Sequence, residues 1–462
     1  MSPPLAARVS AAAVAAVVLG ALASAVLGWQ PGRTVSSAAL VVYFALEARL
    51  LSRGGRMMLA ASAAAAVVAV AFKADWPALL ARALGEAAFL AGLFIALGAL
   101  RDAAQSSALV QSCGALMVRQ PPGRRYAVLC LGSHLISLVL NFGVLSLLGT
   151  MVQKGNTLEA AGGDPRIAAI RQQRMMTAVL RGFALMTVWS PLSVSFAVTQ
   201  AVVHGLPWWR LLPLQMVLAA LLLGLGWLLD RRAFPPVANL PGVGGPTDWR
   251  PLGRLVLLVA AVVVASVASA EAMGVRLVLG AMLVVPISAV VWLTAQHRSG
   301  LTATLHFAAR FSESAPAFRN EAAMLGGAMF FGTVVSAFVS PEATAALIAR
   351  LSLPPSVVAV LLAWSVMALA QVGLSQIVTV TLLGGALADL SALGIQPLVL
   401  ASGLMGAWAL SAVATPIGAA VLTVARISGV DNRTVTHTWN GRFIILGALL
   451  LAAWMLALSA LI

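Results

Sequence analysis

Glu86-Ala87-Ala88-Phe89-Leu90-Ala91-Gly92 and Glu321-Ala322-Ala323-Met324-Leu325-Gly326-Gly327 are two versions of one phrase, set apart by an offset of 235 residues. Further pairs keep the same order. Pro121-Pro122 is answered by Pro354-Pro355, Leu147-Leu148-Gly149 by Leu382-Leu383-Gly384, and Trp189-Ser190-Pro191-Leu192 by Ala414-Thr415-Pro416-Ile417, at offsets between 225 and 235. One such match is within chance; four in order point to a duplicated half.

Hydrophobic residues make up 61% of the chain and charged residues 9%, against about 25% charged in a soluble protein. Runs of about 20 apolar residues are each long enough to cross a bilayer core. Eleven spans are expected, at 6–28, 34–51, 57–74, 85–103, 170–205, 209–229, 252–270, 275–296, 317–340, 396–428 and 441–462. The first could also be a signal peptide, but further spans follow at once, so it reads as a retained span. Two other apolar stretches, 124–153 and 355–392, read as hairpins that enter and leave the membrane on one side. Cys113 and Cys130 have neither CxxC spacing nor a matching His pattern, so the sequence supports no metal site and no disulfide framework.

A net charge of +15 raises the question of nucleic acid. Its distribution answers it. With a cytoplasmic N-terminus, only Arg33, Lys73, Arg82, Arg210, Arg276 and Arg350 fall outside, leaving 23 of the 29 basic residues inside. The positive-inside rule explains that excess with the lipid bilayer as the partner and no nucleic acid. The same map puts the C-terminus in the periplasm. The scarcity of lysine and abundance of alanine hint at a GC-rich bacterial genome and a bacterial cytoplasmic (inner) membrane.

The expected organisation is N-terminal spans at 1–56, a first repeat at 57–230, a linker at 231–250 and a second repeat at 251–462. The linker is dense in helix breakers, with Phe234-Pro235-Pro236 and Gly242-Val243-Gly244-Gly245-Pro246. An odd number of spans separates matching elements, so the copies insert with opposite orientation. The fold class is then an all-α integral membrane protein with about 11 transmembrane helices, two opposed re-entrant hairpins, an inverted-topology repeat and two broken helices. Segments 76–84, 104–118 and 298–314 have mixed polarity and suit helices lying in the interface.

Two places in each half cannot be ordinary helix. The hairpin tips are Leu140-Asn141-Phe142-Gly143 and Gly373-Leu374-Ser375-Gln376, and the breaks are Ser190-Pro191 and Thr415-Pro416. A mid-helix proline removes a backbone donor and clashes with the preceding turn. At membrane depth the freed groups survive only when buried in protein or lining a cavity. Each interruption starts a new half-helix. Four half-helix N-termini would favour an anion near the midplane, and unwound carbonyls a small cation.

Asn141 is the foremost site candidate, because an amide both donates and accepts; the alternative is that it satisfies the tip's own backbone. Ser375, Gln376 and Thr379 form the matching set. Ser190, Ser193, Thr415 and Gly418 sit at the breaks, where hydroxyls are often simple N-caps. Pro191 and Pro416 read as geometric. His134, about 10 Å along a helix from Asn141, is a proton carrier or, preferably, a packing histidine. Glu47 reads as a structural ion pair with the nearby Arg49 and Arg53, and Glu86 and Glu321 as caps at helix starts. No acid lies at either tip or break, which tilts coupling toward sodium or toward none.

At these residues the chain resembles the ion transporter superfamily, nearest to the divalent anion/sodium symporters, with arsenite and p-aminobenzoyl-glutamate carriers as more distant relatives. The resemblance covers nearly the whole chain. In the dicarboxylate symporters each tip reads Ser-Asn-Thr and holds substrate carboxylate and sodium; here Asn141 is flanked by Leu140 and Phe142, and Ser375 is followed by Gln376 and Ile377. Ala414-Thr415-Pro416-Ile417-Gly418 keeps the family's Thr-Pro break, and Trp189-Ser190-Pro191-Leu192-Ser193 is a looser match. The resemblance implies an elevator-type secondary carrier. Its expected cargo is a small organic anion, a carboxylate by class, with Na+ as coupling ion and no other cofactor. It implies substrate binding by Asn141, Ser190, Ser375, Gln376 and Thr415, and ion binding by Ser137, Asn141, Gly143, Ser193, Ser375, Thr379 and Gly418. Spans one to four and seven to nine would form the scaffold of a homodimer; the hairpins and remaining spans would move. An exporter or channel on the same fold is the first rival. The second, a membrane-embedded enzyme on a lipid-linked substrate, needs clustered His, Asp or Glu, and the five histidines are scattered.

Overall fold

A computed structural model describes residues 5–105, 107–203, 205–234, 248–297, 300–350, 352–386 and 394–462. Most of the expected linker, and the end of the second expected hairpin, lie outside them. The N-terminal helices are α1 (Leu5–Val26), α2 (Gln30–Glu47), α3 (Arg53–Phe72) and α4 (Trp76–Gln105). They are followed by α5 (Ala108–Val118), α6 (Pro122–Leu140), α7 (Gly143–Gly155), α8 (Pro165–Met186), α9 (Val194–Val202) and α10 (Trp208–Ala233). Next come α11 (Arg250–Met273), α12 (Leu277–His297), α13 (Gly300–Ser314), α14 (Arg319–Ser336) and α15 (Pro341–Arg350). The last are α16 (Pro355–Gln371), α17 (Gln376–Ala386), α18 (Pro397–Ala414), α19 (Ala419–Ser428) and α20 (Asn440–Leu461). The described residues contain no strand. The protein is an all-α integral membrane protein: eight of these stretches are long and apolar enough by themselves to cross a membrane.

The element order repeats. Pro122, Gly143, Pro165 and Trp208 open α6, α7, α8 and α10; Pro355, Gln376, Pro397 and Asn440 open α16, α17, α18 and α20, each 232 or 233 residues later. Proline at the start of these helices costs nothing, because the first N–H groups have no partner within the helix. All eleven expected spans coincide with helices, two of them broken.

Three expectations change. Segment 76–84 is not a separate interfacial helix but the first turns of α4, so Glu86 lies inside a helix instead of opening one. Its carboxylate accepts from Thr333 Oγ1 at 2.7 Å, so it ties α4 to α14. Glu321 does sit in the first turn of its helix. Glu47 pairs with neither Arg49 nor Arg53. It accepts from Ser10 Oγ at 2.7 Å and meets Arg319 Nη1 at 3.5 Å, a partner 272 residues away. Burial explains the choice: Glu47 is almost fully enclosed, so its charge needs a partner that arrives through packing.

The chain divides into two compact units, and neither is a sequence half. One contains 1–103, 262–352 and 377–389; the other contains 104–261, 353–376 and 390–462. The first unit collects α1 to α4, α12 to α15 and most of α17. Its α1 and α2 cross so closely that a Cβ on Gly20 would lie 2.8 Å from the Gly32 carbonyl, and one on Gly32 would lie 2.7 Å from that of Gly20. Such small-residue crossings let helix backbones touch where lipid gives no hydrophobic drive to association. The second unit collects α5 to α10, α16 and α18 to α20. Three helices cross the division: α4 changes unit after Ala103, α17 leaves its hairpin partner α16 after Gln376, and α11 changes unit after Ala261.

Candidate functional site

The second unit holds both tips' polar residues, except Thr379, and both breaks. At the first tip, α6 ends on Asn141, whose N–H donates to the Ser137 carbonyl at 2.8 Å. Asn141 has φ 48° and ψ −129°, and Phe142 follows in helical geometry. This is close to the first central position of a type II′ turn, which favours glycine and, among residues with side chains, asparagine. The Phe142 ring packs on Phe183 of α8 at 4.8 Å between centroids, pinning the turn. Asn141 is half-buried, and its amide makes no hydrogen bond among the described residues. At the second tip the left-handed residue is Gly373, with φ 96°, where a Cβ would lie 3.0 Å from Ile417 of the second break. Ser375 and Gln376 are half-buried just beyond it; Thr379 is buried and belongs to the other unit.

At the first break, α8 unwinds after Met186 and α9 begins at Val194. Ser190 and Ser193 are both buried. The Leu192 N–H donates to Ser190 Oγ at 3.1 Å, Ser193 Oγ donates to the Ser190 carbonyl at 2.7 Å, and Ser193 Oγ caps α9 by accepting from the Phe196 N–H at 3.2 Å. At the second break, Thr415 Oγ1 donates back to the Ser411 carbonyl at 2.8 Å, and Gly418 stands at the N-cap of α19. Ser137 Oγ likewise donates to the Ser133 carbonyl at 2.5 Å. Hydroxyls whose protons are committed to backbone carbonyls present only lone pairs elsewhere. Ser137, Ser193 and Thr415 are therefore suited to a cation and not to an anion. Gly143 heads α7 directly behind the Asn141-Phe142 turn.

The broken helices interlock: α9 packs on α18, and α19 packs on α8 and on the hairpin arm α7. Each break is closed by an amide that sequence reasoning missed. Gln215 Nε2 of α10 donates to the Val188 carbonyl at 2.8 Å, and Asn432 Nδ2 donates to the Pro416 carbonyl at 2.8 Å. Gln215 is itself held by Ser402 Oγ, which Trp454 Nε1 contacts at 2.9 Å. Gln215→Leu leaves a buried carbonyl without a donor, so it is expected to destabilise by about 1–3 kcal/mol. A thermal melt in detergent measures the loss, and an unchanged melt would mean that water meets Val188. Buried Ser195 and Thr199, one turn apart on α9, have hydroxyls with no hydrogen-bond partner among the described residues. No pattern in the sequence distinguished them from packing residues.

His134 of α6 reaches the same break. The Trp189 indole donates to its Nε2 at 2.8 Å. An indole nitrogen can only donate, so Nε2 carries no proton. The ring thus tethers the hairpin arm to the break in its neutral form.

These features define a class: a helical membrane fold with a paired-hairpin and broken-helix core. Solved structures share the fold. The chain superposes on the YdaH transporter of Alcanivorax borkumensis with a TM-score of 0.55 and 16% identity, over 87% of this chain and 98% of that one. On MtrF of Neisseria gonorrhoeae, described with a class of antimetabolite efflux pumps, the TM-score is 0.54 at 10% identity, over 87% and 95%. No protein-family model matches the chain, and no curated protein matches it in sequence.

Proposed function

We propose that the protein is a secondary active transporter of a small organic anion, a carboxylate by class. The carrying observation is the Asn141 amide, which makes no hydrogen bond among the described residues and sits in a strained turn of the unit that contains both breaks. An amide N–H₂ supplies the donors an anion needs, and the half-helix N-termini add partial positive charge. The inward-committed hydroxyls of Ser137, Ser193 and Thr415 leave lone pairs for Na+, assisted by backbone oxygens freed at the breaks. Ser190, Ser375 and Gln376 complete the substrate set, with Gly418 on the ion side, and Pro191 and Pro416 keep the breaks open. The gathering of the first hairpin, α16 and both broken helices into one compact unit is the observation behind an elevator movement, with the other unit as the scaffold of a homodimer.

The test is thermal stabilisation of the purified protein by a panel of carboxylates in sodium and in potassium. A ligand of the native state raises stability by RT ln(1 + [L]/Kd), about 2.7 kcal/mol at a hundredfold excess over Kd. A shift that needs both one carboxylate and sodium is expected. No shift with any anion would remove the anionic cargo. The likeness to a described efflux pump favours a second reading, export, on the same site. Uptake into inside-out vesicles against uptake into right-side-out vesicles separates the two directions.

A further inference from the structure

The second unit carries a groove of about 270 Å³ between α6 and α10, lined by Tyr126, Cys130, Leu131, Leu223, Gly224 and Trp227. It is smaller than the roughly 300–1,000 Å³ that encloses a drug-sized ligand. Its walls are almost wholly apolar, and Leu131, Gly224 and Trp227 are exposed along it. A Cβ added at Gly224 would meet nothing within 4 Å, so the trough is open on that side. Arginines stand at one end. Arg124 is exposed in the first turn of α6, and Arg231 and Arg232 are exposed in the last turn of α10. The Arg231 guanidinium lies over the Trp227 ring, 4.7 Å from its centroid. The neighbouring carboxylate, Asp230, is taken by Arg174 in a two-pronged bond of 2.7 and 3.0 Å. Neither Arg124 nor Arg231 forms a salt bridge among the described residues. From these arginines to Leu131 and Leu223 the helices rise about 10–12 Å, the reach of a hydrocarbon chain entering from the headgroup level.

We propose that this groove holds one acyl chain of an anionic phospholipid whose headgroup phosphate is bound by Arg231 and Arg124. The arginine end is the side that the positive-inside sorting assigns to the cytoplasm, where anionic lipids and basic clusters between helices meet. Guanidinium groups bind phosphate in a bidentate way, and the tryptophan beneath Arg231 fixes its plane at the interface. A purely electrostatic halo would need the arginines but not the groove, so the two parts are separable.

The experiment is the melting temperature of the full chain in detergent with added phosphatidylglycerol, phosphatidylcholine or glycerol phosphate. Phosphatidylglycerol is expected to raise it by several degrees more than phosphatidylcholine, and glycerol phosphate to leave it unchanged. Arg231→Gln with Arg124→Gln should abolish that difference. Gly224→Leu keeps every charge, fills the trough from an open helix face and should abolish it too. Both sets of changes lie at exposed positions, so their melts without lipid should match the parent. Equal shifts with the two lipids would overturn the proposal. So would a full phosphatidylglycerol effect in Gly224→Leu, which would leave only surface charge, or an equal response to glycerol phosphate, which would leave only a phosphate site.

Discussion

Asn141→Gly is expected to give a protein that melts later and responds much more weakly to its ligand. The backbone at Asn141, φ 48° and ψ −129°, is one that side chains adopt at a cost of order 1–3 kcal/mol. Glycine removes that cost, so a gain of about 1 kcal/mol is expected, reduced by glycine's greater freedom in the unfolded chain. The same change deletes the amide. A hydrogen bond to a charged group contributes about 1.5–3 kcal/mol, so binding should weaken roughly tenfold to a hundredfold. Asn141→Ala separates the two effects. It loses the amide as well, but retains the strain without asparagine's tolerance of the left-handed region, so it should melt earlier than the parent. Thermal melts with and without ligand read both quantities. If Asn141→Gly binds as the parent does, the amide serves the turn alone.

The second large effect belongs to Arg181, in the last two turns of α8 and almost fully buried. Its guanidinium donates to Asn440 Oδ1 at 2.8 Å, to the Tyr126 hydroxyl at 3.0 Å and to the Trp439 carbonyl at 3.3 Å, with the Phe443 ring 4.4 Å from its carbon. It forms no salt bridge among the described residues. Trp439 ends a π-helical turn, Thr434–Trp439. Arg181→Met should cost about 3 kcal/mol, because several buried acceptors lose their donor at once. Arg181→Lys should cost about 3–5 kcal/mol. It keeps the charge in a dry site while its compact ammonium cannot span the fork's partners. Denaturation in detergent, read by tryptophan fluorescence, ranks the two. A lysine variant as stable as the parent would mean that the charge matters and the fork does not.

Much of this architecture was legible in the sequence because its signals are local. An apolar run of about 20 residues, a proline after a serine or threonine, and asparagine or glycine between two apolar arms each constrain the backbone where they stand. The repeat was legible because the same signals recur in order. What the sequence could not show is which distant group completes each interruption. Pro191 and Pro416 announce freed carbonyls, but that Gln215 and Asn432 meet them depends on how α10 and the segment after α19 pack. Glu47 had arginines two and six residues away and instead meets Arg319, because packing outranks sequence distance for a buried charge. Glu86 matched Glu321 in sequence but not in position along its helix, since nothing between Trp76 and Gln105 is a strong enough breaker to start a new one. The roles of Ser137, Ser193 and Thr415 were ambiguous as residue types. The direction of each hydroxyl proton, fixed only by the folded backbone, tells donor from acceptor.

The left-handed residue at one tip is Asn141 and at the other Gly373. Had each half remained a separate gene product pairing with an inverted copy of itself, every substitution would occur twice, once in each tip. Covalent fusion lifts that coupling. One tip could then keep an amide at the cost of strain while the other gave up its side chain for a relaxed turn against Ile417. If Asn141 binds the cargo as proposed, selection for a new cargo can therefore act on position 141 alone, without a matching change in its ancestral twin.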